Sequence, residues 1–156
     1  MASSRHVALG LAWVALAAGC GGGGDADRAA DTSQLARAER SLQSELEAAV
    51  EHLGLPAEGG MRVTPSRCDD RARADVTSGY RLRLEMRGGD TEELLRRAAG
   101  FWRERGRQVR VVGAKGSFPA VFATADPGWT FSLQLFPERG EALLSGGTPC
   151  LPDPRA

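Results

Sequence analysis

Tyr80-Arg81-Leu82-Arg83-Leu84-Glu85-Met86-Arg87 alternates apolar and charged residues without a break. Successive side chains of a strand point to opposite sides, so Tyr80, Leu82, Leu84 and Met86 face one way and Arg81, Arg83, Glu85 and Arg87 the other. A helical period would scatter both classes around the axis. A strand buried on one side and wetted on the other keeps them apart. The stretch therefore predicts a sheet with one covered face, and the rest of the chain must supply the cover and the neighbouring strands.

Downstream, Gly88-Gly89 turns the chain and Asp90 caps a helix, with Glu93 three residues on. Leu94, Leu95, Ala98, Phe101 and Trp102 form the apolar stripe of that helix, and Gly106 ends it. Four strand segments follow, at about 107–112, 117–125, 129–136 and 141–146, the later ones separated by Asp126-Pro127-Gly128 and Pro137-Glu138-Arg139-Gly140. Trp129, Phe131, Leu133 and Leu135 alternate with Thr130, Ser132 and Gln134, again a strand with one buried face. Upstream, residues 55–78 read as turns, with one short strand near Met61–Thr64 leading to Cys68. Before them, Leu35, Ala38, Leu42, Leu46, Ala49, Val50 and Leu53 predict an amphipathic helix from about Thr32 to Leu53. Asp31 with Gln34 resembles a capping box, and Gly54-Leu55-Pro56 stops the helix.

The order is helix, strand, helix, then a run of strands joined by short turns. That order predicts an α+β fold: a two-layer sandwich whose mainly antiparallel sheet of four to five strands carries both helices on one face. The single domain would occupy residues 31–151, with 152–156 as a tail.

The N-terminus is of a different kind. Arg5 and His6 precede an apolar run from Val7 to Ala18, and Ala17-Ala18-Gly19 leads into Cys20. Such a run spans only about 18 Å as a helix, too short for a hydrocarbon core of roughly 30 Å, and reads as a signal peptide over residues 1–19. The residues before Cys20 resemble the bacterial lipobox, with Ala17 where leucine is usual and Leu16 one step further back. The resemblance implies diacylglycerol on Cys20, which becomes the mature N-terminus. The competing reading is an ordinary secretory signal cleaved after Ala15-Leu16-Ala17, which leaves Cys20 as a stray thiol. Residues 20–30, with Gly21 to Gly24 and Asp25-Ala26-Asp27-Arg28, read as a flexible tether holding the domain close to the membrane.

The cysteine count fits the lipoprotein reading. There are three cysteines, and lipid on Cys20 leaves Cys68 and Cys150 to pair in an oxidising compartment. The closed loop of about 80 residues would be worth roughly 4–5 kcal/mol in the chain-entropy model.

Charge is balanced, with twenty Lys and Arg against twenty Asp and Glu, so no overall field points to nucleic acid. Nineteen of the twenty basic residues are arginine, and asparagine and isoleucine are absent. That usage reads as a G+C-rich genome, and the arginine excess alone is no sign of phosphate binding.

The GYRLRLEM strand (Gly79–Met86), the helix carrying ELLRR and FW (Glu93–Arg97, Phe101-Trp102) and the closing LLSGGTPC (Leu143–Cys150) resemble small lipoproteins of actinobacteria. The resemblance covers most of residues 66–151. It implies an extracytoplasmic, membrane-anchored location, a terminal cysteine paired with one upstream of the first long strand, here Cys68, and this fold. It implies no activity.

Nothing in the sequence assembles catalytic machinery. His52 is the only histidine beyond the signal segment and sits near the C-terminus of the first helix, where a cation suits the helix dipole. No serine lies in a Gly-x-Ser-x-Gly elbow. Asp69, Asp70 and Asp75 cluster beside Cys68 but are interleaved with Arg67, Arg71 and Arg73, and read as a solvated turn, not a calcium loop. Gly113-Ala114-Lys115-Gly116-Ser117 lacks the order of a phosphate loop and reads as a hairpin. The expectation is no metal and no cofactor.

The feature that stands out is basic. Eleven arginines against six acids lie between Arg71 and Arg110, and Arg81, Arg83, Arg87 and Arg110 are expected on the sheet face away from the helices. That face would suit an anionic wall polymer, a lipid headgroup or an acidic envelope protein, and it is also what a solvated face looks like in an arginine-biased chain. The leading reading is a non-enzymatic binding or accessory module of the cell envelope. The alternatives are a small envelope hydrolase or ligand carrier, using a pocket between helices and sheet, and a purely structural tether.

Overall fold

The computed structural model describes residues 23–68, 75–86, 90–113 and 118–153, with side chains from Gln34 onward. In chain order the elements are α1 (Gly23–Leu53), β1 (Ala57–Arg67), β2 (Asp75–Glu85), α2 (Thr91–Glu104), β3 (Gln108–Val112), β4 (Ala120–Ala125), β5 (Trp129–Phe136), a 3-10 turn (Pro137–Arg139), β6 (Glu141–Gly147) and β7 (Leu151–Pro152). The strands form one sheet in the order β1-β2-β6-β5-β4-β3, with β7 pairing beside β6 on β2. Every pairing is antiparallel. β2 and β3 consequently run in the same direction, and α2 carries the chain across the sheet between them.

The alternation around Tyr80 places the core. Leu82, Leu144, Leu133 and Val121 stand side by side on four adjacent strands, with Leu84, Ala142 and Leu135 in the next row. α1 lays Leu42, Leu46, Ala49 and Leu53 over these rows, and α2 adds Leu95, Ala98, Phe101 and Trp102, all within one buried cluster. Each large side chain so buried contributes about 1.5–3 kcal/mol. Both helices therefore cover the same face, as the α+β reading requires. Asp90 caps α2 by accepting a hydrogen bond from the Glu92 amide at 2.8 Å.

Three expectations need correction. First, α1 begins at Gly23 and takes in most of the segment read as a tether; the Asp31/Gln34 pair lies inside the helix and not at its start. Ala26, Ala29 and Ala30 have the highest helix propensity, and propagating a helix already nucleated by core packing costs little. Second, residues 57–67 form a full strand, and β2 starts at Asp75, ahead of Tyr80. β1 is an edge strand exposed almost throughout, so its sequence carries no alternation; backbone pairing to β2 holds it, with an irregularity between Glu58 and Arg62 where Gly59 and Gly60 fall. Third, there are seven strands where four to five were expected: the short strand near Met61–Thr64 extends into the full-length β1, and the two-residue β7 is new. β7 pairs Leu151 and Pro152 with Val76 and Asp75, which carries the domain into the expected tail.

Cys68 and Cys150 are joined by a disulfide across 82 positions, with Cα atoms 6.1 Å apart. It ties the end of β1 to the link between β6 and β7. Residues 1–19 and Cys20 lie outside the described residues.

Candidate binding face

On the side of the sheet away from the helices, register puts residues of different strands into rows. One row runs Arg62, Arg81, Ser145, Ser132, Phe122, Arg110 from β1 to β3. The next runs Glu58, Arg83, Leu143, Gln134, Ala120, Val112. On the other flank lie Thr64, Gly79, Gly147, Thr130, Thr124 and Gln108. Among the described residues, no helix covers these rows.

The face is concave where side chains are missing. Gly79 and Gly147 are directly opposed, and a Cβ on Gly147 would stand 2.8 Å from Thr130 Oγ1. Around them Ser66, Thr77, Arg81, Phe122, Ser132 and Ser145 line a concavity of about 390 Å³. Its floor is rich in hydroxyls: Ser132 Oγ and Ser145 Oγ are 2.8 Å apart, and Thr77 donates to the Thr148 carbonyl at 2.7 Å. At the β3 end the Arg110 guanidinium lies over the Phe122 ring, 5.1 Å from its centroid. Toward one end of the face, Phe118, 64% exposed, meets Phe136 edge-on at 6.0 Å, and Arg139 sits 5.7 Å from the Phe136 centroid.

Of the expected basic residues, Arg81, Arg83 and Arg110 project from this face, and Arg87 lies outside the described residues. They do not form one cluster. Arg81 and Arg110 are four strand intervals apart, about 19 Å at normal spacing, and Arg83 is 3.9 Å from Glu141. The residue that sequence reasoning misses is Arg62, side by side with Arg81 across β1 and β2. It lies in the short strand expected near Met61–Thr64, but nothing in that stretch shows that the strand pairs with β2. Among the described residues, no carboxylate pairs with Arg62 or Arg81. Phe122 and Phe136 are missed as well. Their signal is phase: each falls on the polar beat of a strand whose other beat, Val121 and Ala123 or Leu133 and Leu135, already fills the core.

Four arginines on the helix side have structural partners, while Arg40 and Arg103 have none among the described residues. Arg96 pairs with Glu93, and Arg97 donates to the His52 carbonyl, a bond between the two helices. Glu45 faces Arg107 at 3.6 Å and Arg105 at 3.9 Å, while Arg105 also stacks 3.7 Å from the Phe101 centroid. His52 is exposed in the last turn of α1, tilted against Phe101 at 5.1 Å. Beneath α1, buried Ser78 donates to Glu39 at 2.6 Å. Burial, and secondarily the Glu39 carboxylate, push the Tyr80 phenol up from its ordinary value.

Another concavity of about 430 Å³ opens between α1 and β1, with Val50, Ala57, Met61 and Leu82 as its apolar lining and Gln43, Glu47 and Glu51 beside them. Asp69, Asp70 and residues 114–117, where a hairpin was expected, lie outside the described residues. Among the described residues, no His, Cys, Asp and Glu side chains group as metal ligands, and no helix is long and apolar enough to cross a membrane. Comparison with protein-family models, with curated proteins and with solved structures finds no match to this chain.

Proposed function

We propose that this chain is a lipid-anchored, extracytoplasmic binding module of the cell envelope, non-enzymatic, held to the membrane through Cys20 and working through its uncovered sheet face. The observation that carries the reading is the contrast between the two sides of one sheet. The helix side is closed by a continuous core, while the other side leaves a concave, hydroxyl-lined surface and arginines without carboxylate partners among the described residues. The anchor rests on the signal-like run and the lipobox resemblance before Cys20. Two acyl chains, at about 0.8 kcal/mol per buried methylene, make such an attachment stable.

In-cell photocrosslinking tests this reading, with the crosslinker at Ser132 on the sheet face or at Arg103 on α2. A single envelope component captured from Ser132, and not from Arg103, is the expected result. Equal capture from both positions would sink the binding face. Unchanged detergent partitioning and mature mass in a Cys20→Ala strain would sink the anchor. The apolar concavity between α1 and β1 supports a second reading, a carrier for a lipid or wall fragment. Thermal stabilisation by such a ligand, lost on Met61→Glu, would favour it.

A further inference from the structure

We infer that the ligand of the sheet face is a linear polyanion, a phosphodiester-linked polyol chain of the envelope, lying across the strands along the row from Arg62 to Arg110. This deepens the binding-module reading and rests on it for the ligand's location.

The row has an electrostatic gap at one end. Arg62 and Arg81 are direct cross-strand partners, and like charges in that position repel. No carboxylate among the described residues is within ion-pair distance of either, although Glu58 lines the same concavity of about 490 Å³. An anion between the two guanidiniums turns the repulsion into a shared, charge-assisted hydrogen-bonding site, and the planar arginine fork matches phosphate oxygens.

Shape selects a chain over a compact anion. Arg62 and Arg110 are separated by five strand intervals, about 24 Å. Between them Ser145 and Ser132 present hydroxyls, next to the recess left by Gly79 and Gly147. A strand of alternating phosphates and polyol units meets arginines at the ends and hydroxyls in the middle. A bilayer surface is flat and would touch the rim without reaching the recessed floor. An acidic peptide gains most of its affinity from a free strand edge, and this row crosses the middle of the sheet. Single-stranded nucleic acid needs a succession of aromatic platforms along its path, whereas the one ring in the row, Phe122, is covered by Arg110 and the exposed Phe118 lies off the row at one end of the face.

The experiment uses the Cys20→Ala protein with its disulfide intact and end-labelled synthetic poly(glycerol phosphate), followed by fluorescence anisotropy across a salt titration. Three arginine contacts on a flexible chain predict a slope of about −2 in log K against log salt. Arg81→Ser and Arg110→Ser should each weaken binding about tenfold and reduce the slope by about 0.7. Ser132→Ala should weaken binding with the slope unchanged, and Arg103→Ser, on the helix side, should do neither. The inference is overturned by no binding, by binding indifferent to Arg81→Ser and Arg110→Ser, or by equal affinity for monomeric glycerol phosphate. Phosphatidylglycerol vesicles that bind as well, through the same arginines, would overturn it in favour of a lipid surface. If the polymer fails while Ser132 still captures a protein in cells, this inference falls and the binding-module reading stands. If Ser132 captures nothing that Arg103 does not, both fall.

Discussion

Gly146 and Gly147 are neighbours in sequence and serve opposite sides of the sheet. A Cβ on Gly146 would stand 2.7 Å from Leu42 Cδ1 and 3.2 Å from the Thr130 carbonyl oxygen, so the absence of a side chain there lets α1 sit down on β6. Leu42 is fully buried and the carbonyl belongs to the sheet, so neither can move aside cheaply. Gly146→Ala should therefore cost about 1–3 kcal/mol, the usual cost of overpacking, read as a lower urea midpoint at unchanged slope. A second test at this scale uses Tyr80, the only tyrosine in the chain. Its phenol is held protonated by burial and by Glu39. The unfolded chain ionises at about pH 10, while the folded chain still holds its proton. The contribution of Tyr80 to native stability is thus complete below that pH and is lost as pH rises through the raised folded value. Tyrosinate absorbance of the native protein should appear above the ordinary range, and Tyr80→Phe should flatten the alkaline fall in melting temperature. Native-state ionisation at the ordinary value would refute this.

Elements differ in how openly the sequence announces them, and the difference follows burial. β2, β5 and α2 each bury one face, so their apolar periods are written directly into Tyr80–Met86, Trp129–Leu135 and Leu94–Trp102. β1 buries almost nothing, contains Gly59, Gly60 and Pro65, and is held by main-chain pairing that leaves no side-chain signature. Only Met61–Thr64 read as strand there, which is why the pairing of Arg62 with Arg81 was illegible while Arg81 itself was plain. The N-terminal part of α1 was hidden for another reason. Its glycines and aspartates resemble a linker, and the helix is continued from a core-packed stretch further along the chain. The Cys68–Cys150 bond compensates for the weak side-chain anchoring of β1 by fixing its end beside β7. Cys68→Ser/Cys150→Ser should cost about 4–5 kcal/mol on the loop-entropy scale. Local loss should begin at β1, so amide exchange there should accelerate more than in β5 or β6. Uniform acceleration across the sheet would mean that the bond stabilises the molecule only globally.

At the scale of the whole molecule, the two sides of the sheet separate stability from recognition, and one substitution can set them against each other. The helix side carries the buried cluster, so its residues answer to packing. The open side contributes little burial, and the Arg62–Arg81 pair on it sets like charges directly opposite each other. Replacing Arg62 with glutamate exchanges a repulsive cross-strand pair for an attractive one. Arg62→Glu should stabilise the protein by about 0.2–1 kcal/mol at low salt, the normal range for such pairs. The gain should shrink as salt screens exposed charges. If that face is merely solvated, improved stability is the only consequence. If it holds a polyanion, the same variant removes one contact and neutralises a second, so polymer binding should fall by more than it does for Arg81→Ser. Denaturant midpoints and anisotropy on the same preparations decide the matter. A variant that is more stable and binds less identifies the uncompensated pair as a cost retained for binding. A variant that is more stable and binds as before leaves the arginines no role in recognition.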